Sequence, residues 1–161
     1  MSMILNLKSA TDSEIENLKR NPDSIEGFLY DDEDTDHDQM DLDKAWHGLH
    51  FLLTGETDGG AVPLCYLMNA EQLGAKDFGY GPPRALTSKQ LAAFEEAIAK
   101  IDEKELRKRF DPDAMTTRQI YPSIWDEGDD AFQYLYEHFK YLQEYLTSAK
   151  NRKDGTLIWL S

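Results

Sequence analysis

The sequence predicts a single α+β domain over residues 1–161, mostly helices packed on a small sheet that includes the N- and C-terminal strands. Three observations lead there. Capping signals followed by amphipathic stripes dominate the chain. The runs that suit strands are few and short. Two of them sit at opposite chain ends, where pairing them closes the domain. A chain of 161 residues, 40% hydrophobic and 30% charged, has the size and composition for one core without disulfide or metal staples.

Met3–Leu7 is apolar and reads as the first strand. Thr11 and Glu14 form a capping box that opens a helix through about Arg20, and Asn21-Pro22 stops it. Ser24–Tyr30 reads as a short helix with Ile25, Phe28 and Leu29 inward. An acidic loop follows, and Asp41 is placed to cap a helix over 42–54 that ends at Gly55. Thr57–Gly60 is a turn. Val62–Met68 is too short for strand and helix to be told apart. Phe78–Arg84, punctuated by glycine and proline, is a loop or an irregular edge strand. Thr87 with Gln90 opens a helix over Ser88–Ile101, and Asp102 with Glu105 opens Glu103–Phe110, closed by Asp111-Pro112. Tyr121–Trp125 is a compact aromatic loop. Asp129–Lys150 is the longest helix, with Phe132, Leu135, Tyr136, Phe139, Leu142 and Leu146 on one stripe. Gly155 releases a last strand, Thr156–Leu160.

The formal charge is −14, and eight acids between Asp31 and Asp43 face no lysine or arginine there. Such a field repels nucleic-acid phosphates and anionic lipid, and it favours a basic partner. The stretch is expected to be extended and mobile, since clustered aspartates repel. The lone Cys65 lies in an apolar run and reads as an inert buried thiol of a reducing compartment. The first residues hold too short an apolar run for a signal peptide, and no window approaches a membrane span. The expected location is the cytoplasm.

The stretches DLDKAWHGLHFLLTG (41–55), YGPPRALTSKQL (80–91) and IYPSIWDEG (120–128), in that order, resemble the YfbM-like family of bacterial cytosolic proteins. The resemblance runs from Ser2 to Leu160. It implies one α+β domain and carries over no activity and no catalytic residues. The expanded acidic segment 31–38 departs from the family's compact approach to the helix.

The best site candidate is a polar row on the 42–54 helix: Asp43, His47, His50 and Thr54, beside Trp46. Two histidines three apart fit no zinc signature, since that motif needs them four apart with a glutamate after the first, where Gly48 stands. The alternating aspartates of 32–38 fail as a calcium loop in both registers, because His37 or Gln39 falls where the turn needs glycine. No phosphate-loop or dinucleotide fingerprint occurs. No metal and no cofactor are expected. Arg84 can hold an anion and Tyr80 can stack on it or on a ligand; the structural alternative is that Arg84 pairs with one of the many acids. Tyr121 and Trp125 add aromatic surface. The ligand-binding set is therefore Trp46, His47, His50, Tyr80, Arg84, Tyr121 and Trp125. Two functions are compatible with it. The first is a non-enzymatic domain binding a small ligand or a basic protein partner, in its concrete form an antidote (immunity-type) protein. The second is a small hydrolase or transferase using His47 or His50 as general base.

Overall fold

In the computed structural model, which describes residues 2–161, both chain ends meet in one sheet. The chain runs β1 (Leu5–Ala10), α1 (Asp12–Arg20), α2 (Ile25–Leu29), β2 (Gln39–Asp41), α3 (Trp46–Thr54), α4 (Tyr66–Asn69), β3 (Glu71–Gln72), β4 (Arg84–Leu86), α5 (Ser88–Ala99), α6 (Glu103–Arg109), α7 (Pro112–Thr117), α8 (Asp129–Asn151) and β5 (Gly155–Leu160). The five strands are antiparallel in the order β2-β1-β5-β4-β3. Strands β1 and β5 pair along their full length, Leu5 opposite Leu160 and Ala10 opposite Gly155. This is an α+β fold with the terminal strands at its centre.

Alternation along the strands gives the sheet two buried faces. Leu5, Leu7, Leu86 and Ile158 face the large core built by α3, α5 and α8. Ala10, Ala85, Leu157 and Trp159 face a smaller core with Ile15 and Leu18 of α1 and Ile25 and Leu29 of α2. The helices expected on one side thus split into two layers around the sheet. Cys65 is buried and unpaired, and burial pushes its thiol pKa up. Among the described residues no helix is long and apolar enough to cross a membrane.

The local signals worked where capping chemistry is self-contained. Thr11/Glu14 and Thr87/Gln90 both form reciprocal capping boxes, and Asp102 Oδ1 accepts from the Glu105 N–H at 2.8 Å. Gly55 ends α3 in the left-handed conformation, φ +74°.

Asp41 does not cap α3, which starts at Trp46. The segment before it is drawn onto β1 instead: Leu42 N–H donates to the Leu5 carbonyl at 2.9 Å and Leu5 N–H to the Asp43 carbonyl at 3.3 Å. Asp43 takes φ +46°, which no right-handed helix accommodates.

The acidic segment is not a free loop either. Lys8, 1% exposed on β1, donates to the Phe28 carbonyl at 2.6 Å and pairs with Asp34 at 2.9 Å. His37 bridges Asp34 and Glu14, 2.7 Å from each, and Arg152 holds Asp38 at 2.8 Å. A buried ammonium needs a carboxylate, and that need outweighs repulsion among the aspartates. The two carboxylates lie on opposite ring nitrogens of His37, so they accept hydrogen bonds and do not converge on one ion. Residues 39–41 then add strand β2.

Candidate functional site

Two proline residues locate the candidate cleft. Pro82 and Pro83 precede β4, which begins at Arg84 opposite Ile158, so β5 runs on past the end of its neighbour. The space beyond the last rung is a cleft of about 260 Å³ lined by Trp46, Asp58, Asn69, Tyr80, Arg84 and Trp159, with Leu67, Met68, Ile158 and Leu160 among its apolar groups. The turn carrying Tyr80 is pinned by Asp77, whose Oδ1 accepts from the N–H groups of Gly79 (2.6 Å) and Gly81 (3.1 Å). Gly79 and Gly81 take φ +121° and +100°, which explains glycine at both places.

Each polar group of the cleft is anchored on one side. Arg84 Nη1 donates to the Ala70 carbonyl at 2.9 Å. Its expected carboxylate partner is missing: Arg84 makes no ion pair among the described residues, although Asp58 lies close enough for their charges to interact. Asp58 Oδ1 accepts from the Gly59 N–H (2.8 Å) and Asn69 Nδ2 (3.0 Å), and the Gly59 N–H is shared with Asn69 Oδ1 at 3.2 Å. The Asn69 and Gly59 bonds, ahead of the nearby His50 and Arg84 charges, hold the Asp58 carboxyl below its usual range. Asp58 is therefore ionised at neutral pH. The Trp159 indole N–H, buried, has no partner among the described residues.

Of the seven residues expected to bind ligand, Trp46, Tyr80 and Arg84 line this cleft. The other four do not. His47 stacks on Trp46 with ring centroids 5.2 Å apart, but both its nitrogens are engaged: Nδ1 accepts from the Tyr121 N–H and Nε2 lies 3.0 Å from the Thr57 carbonyl. That pattern is the neutral ring protonated on Nε2. Burial lowers its pKa, against the Thr57 bond and Asp58. Tyr121 and Trp46 strap the N-terminal segment from two sides: Tyr121 Oη accepts from the Met3 N–H at 3.0 Å, and Trp46 Nε1 donates to the Met3 carbonyl at 2.9 Å. Trp125 is core, its Nε1 donating to the Ile120 carbonyl at 2.7 Å.

His50 is fully buried, and neither ring nitrogen has a hydrogen-bond partner among the described residues. Burial and the neighbouring His47 lower its pKa, against Asp58, the Gly59 backbone and Glu56. The Gly59 backbone approaches the ring without reaching hydrogen-bond geometry. With His47 saturated and His50 sealed, neither is placed to take a proton from a group in the cleft. Asp43 has left the helical row altogether and accepts from Tyr134 Oη at 2.7 Å. Among the described residues no three or more His, Cys, Asp or Glu side chains gather as a metal site.

Asp58, Asn69 and Trp159 were not singled out by the sequence. Asp58-Gly59-Gly60 advertises a turn, and Trp159 reads as core in a terminal strand. The pairing of β3 with β4 brings Asn69 and the Asp58 bonded to it toward Arg84, and the pairing of β5 with β4 adds Trp159.

Fold and cleft define a small α+β domain with one polar-aromatic recess at the open end of its sheet. The chain belongs to the family described as Domain of unknown function (DUF1877), matched over residues 1–159. Its fold is similar to that of YfbM from Escherichia coli, a protein of unknown function whose crystal structure aligns with a TM-score of 0.77 at 22% identity, covering 98% of this chain and 99% of that one. No curated protein matches the chain.

Proposed function

We propose that this protein is a non-enzymatic cytosolic binding domain whose ligand sits in the cleft between α3 and the open end of β5. One observation carries the reading. Arg84 and Asp58 share a small recess, each anchored by backbone or amide groups, yet they form no ion pair with each other. Arg84 is half-buried and Asp58 stands at the exposed mouth, so a ligand that meets both gains two charge-assisted contacts at once. The test is ¹H–¹⁵N correlation spectroscopy during titration with a library of small polar fragments. The expected result is a cluster of shifted resonances at Trp46, Asp58, Asn69, Tyr80–Arg84 and Trp159. Fragments that bind only elsewhere, or that bind the Arg84→Gln protein equally well, refute it.

A second reading, an antidote-type protein for a basic partner, is favoured by the carboxylates of Asp31, Asp32, Glu33 and Asp36, which stand exposed on the surface. It predicts capture of a basic protein that weakens steeply as salt rises; capture insensitive to salt counts against it. The same field disfavours nucleic acid and anionic membranes as ligands.

A further inference from the structure

We infer that the cleft takes a small amino-carboxylate, an α-amino acid or a close homologue, with its carboxylate on Arg84 and its ammonium group on Asp58. The inference rests on the cleft being the ligand seat and names the chemistry that seat selects.

The argument is one of charge. An anion alone at Arg84 meets the fixed carboxylate of Asp58, and a cation alone at Asp58 meets the guanidinium. A neutral ligand gains a charge-assisted contact with neither and takes water from the half-buried Arg84. A zwitterion satisfies both at once. The donors support the same polarity. Arg84 has one guanidinium nitrogen committed to the Ala70 carbonyl, which fixes the plane of the fork that remains for a carboxylate. The remaining guanidinium nitrogen and Nε–H face no protein acceptor among the described residues, so they are free for a carboxylate. At the other end Asp58 Oδ1 is saturated by Gly59 and Asn69, so the carboxylate is oriented and its Oδ2 is the acceptor for an ammonium group.

Size and wall chemistry narrow the class further. About 260 Å³ lies below the range that drug-sized ligands occupy, so the occupant is a single small molecule. Trp46 and Tyr80 present aromatic surface to a cation, and Leu67, Met68 and Ile158 suit a modest apolar side chain.

The experiment is calorimetric titration of the full chain with the free α-amino acids, each also as its carboxamide and its N-acetyl derivative, and with free-amine dipeptide amides. The expected result is binding by one or more free amino acids with an apolar side chain. Both blocked forms weaken by about tenfold or more, the loss for one charge-assisted contact. Asp58→Asn and Arg84→Gln each weaken the free amino acid similarly, but Asp58→Asn costs the N-acetyl form nothing further and Arg84→Gln costs the carboxamide nothing further. The exposed Asp58→Asn keeps a side-chain oxygen for its two donors, so it reports on charge in a folded protein. Equal binding of the deaminated carboxylates overturns the ammonium half. Tighter binding of a dipeptide amide than of any free amino acid overturns the inference in favour of a peptide N-terminus. No binding by any of these compounds, while unrelated fragments still shift the cleft resonances, overturns the amino-carboxylate class and leaves the cleft as a ligand seat; no response of the cleft to anything overturns both.

Discussion

Replacing Gly48 by alanine is the sharpest test of how α3 is seated. A glycine inside a helix is ordinarily a weakness, and alanine there gains about 1 kcal/mol of helix propensity. At Gly48 the new methyl would lie 2.6 Å from Trp125 Cη2 and 2.8 Å from Leu135 Cδ2. Leu135 can change rotamer, but Trp125 is rigid, 1% exposed and tethered through its indole N–H to Ile120. Because the rigid indole cannot give way, overpacking here costs the upper part of the usual range, about 2–3 kcal/mol. The contact therefore outweighs the propensity, and the net loss is about 1–2 kcal/mol, or roughly 2–8 °C in Tm at this chain length. Gly27→Ala is the control. Gly27 also lies inside a helix, α2, but nothing stands within 4 Å of its Cβ position. There the same substitution raises Tm by about 2–4 °C. Differential scanning calorimetry of both variants settles the point. A Gly48→Ala protein as stable as wild type, or two variants shifting in the same direction, refutes the packing of α3 on Trp125.

Three further outcomes follow from buried polar groups. His50→Leu removes two ring nitrogens that have no protein partner and fills a similar volume, so stability rises by about 1 kcal/mol in urea unfolding; a clear loss would show that His50 holds a partner outside the protein's own groups. Asp34→Asn leaves the Lys8 ammonium buried without its carboxylate and costs about 3 kcal/mol, whereas Lys8→Met with Asp34→Leu loses less than that single change; a double variant weaker than Asp34→Asn contradicts the ion-pair account. His37 supplies the pH dependence. Burial pulls its pKa down, but hydrogen bonds and charge from Glu14 and Asp34 prevail, so the folded value is raised. Its stabilisation is therefore full below the unfolded value of about 6.5 and fades as pH rises through the folded one. Glu14 and Asp34 are held below their usual range, so their share is lost only in stronger acid. The difference in Tm between wild type and His37→Gln is expected to be largest near pH 6 and small by about pH 9; a difference that grows with pH is incompatible with the bridge.

What could be read from the sequence was whatever is decided within a few residues. The capping boxes at Thr11 and Thr87 and the apolar stripe of α8 are local statements, and they hold. The start of α3 was not local. The signal at Asp41 is genuine, but two backbone bonds to Leu5 take residues 42 and 43 away from the helix. Helix α7 shows the opposite error. Asp111-Pro112 looks from the sequence like a stop alone, yet Asp111 accepts from Ala114 N–H and Pro112 sits at the first helical turn, which is a start signal. Strands β2 and β3 have three and two residues, too short for any period to register. The site divided in the same way. Tyr80 and Arg84 stand out because glycines and prolines mark an enforced bend, and Trp46 because its apolar stripe borders the polar row of His47 and His50. Asp58, Asn69 and Trp159 come from separate segments and meet only through the register in which β3 and β5 pair on either side of β4.

That register also explains why the recess exists at all. Ser161 exchanges both backbone hydrogen bonds with Ile4, so the odd-numbered residues at this end of β5 turn their main-chain groups toward β1. The even-numbered Thr156, Ile158 and Leu160 turn theirs toward β4. Thr156 and Ile158 lie opposite Leu86 and Arg84, but Leu160 falls opposite Pro82, which has no N–H to give. The ladder stops one rung early, and the chain bends away through the Asp77-pinned glycine turn rather than covering the end of β5. The same two prolines place Arg84 as the last residue of the rung, with its guanidinium at the recess and an amide carbonyl, not a carboxylate, as its anchor. In a chain with 31 acidic residues, a half-buried arginine that makes no ion pair among the described residues keeps its charge uncompensated by any direct contact. The strand that ends early and the arginine left unpaired are therefore one feature: the fold forgoes a rung and an ion pair at the same point, and both omissions open into the cleft.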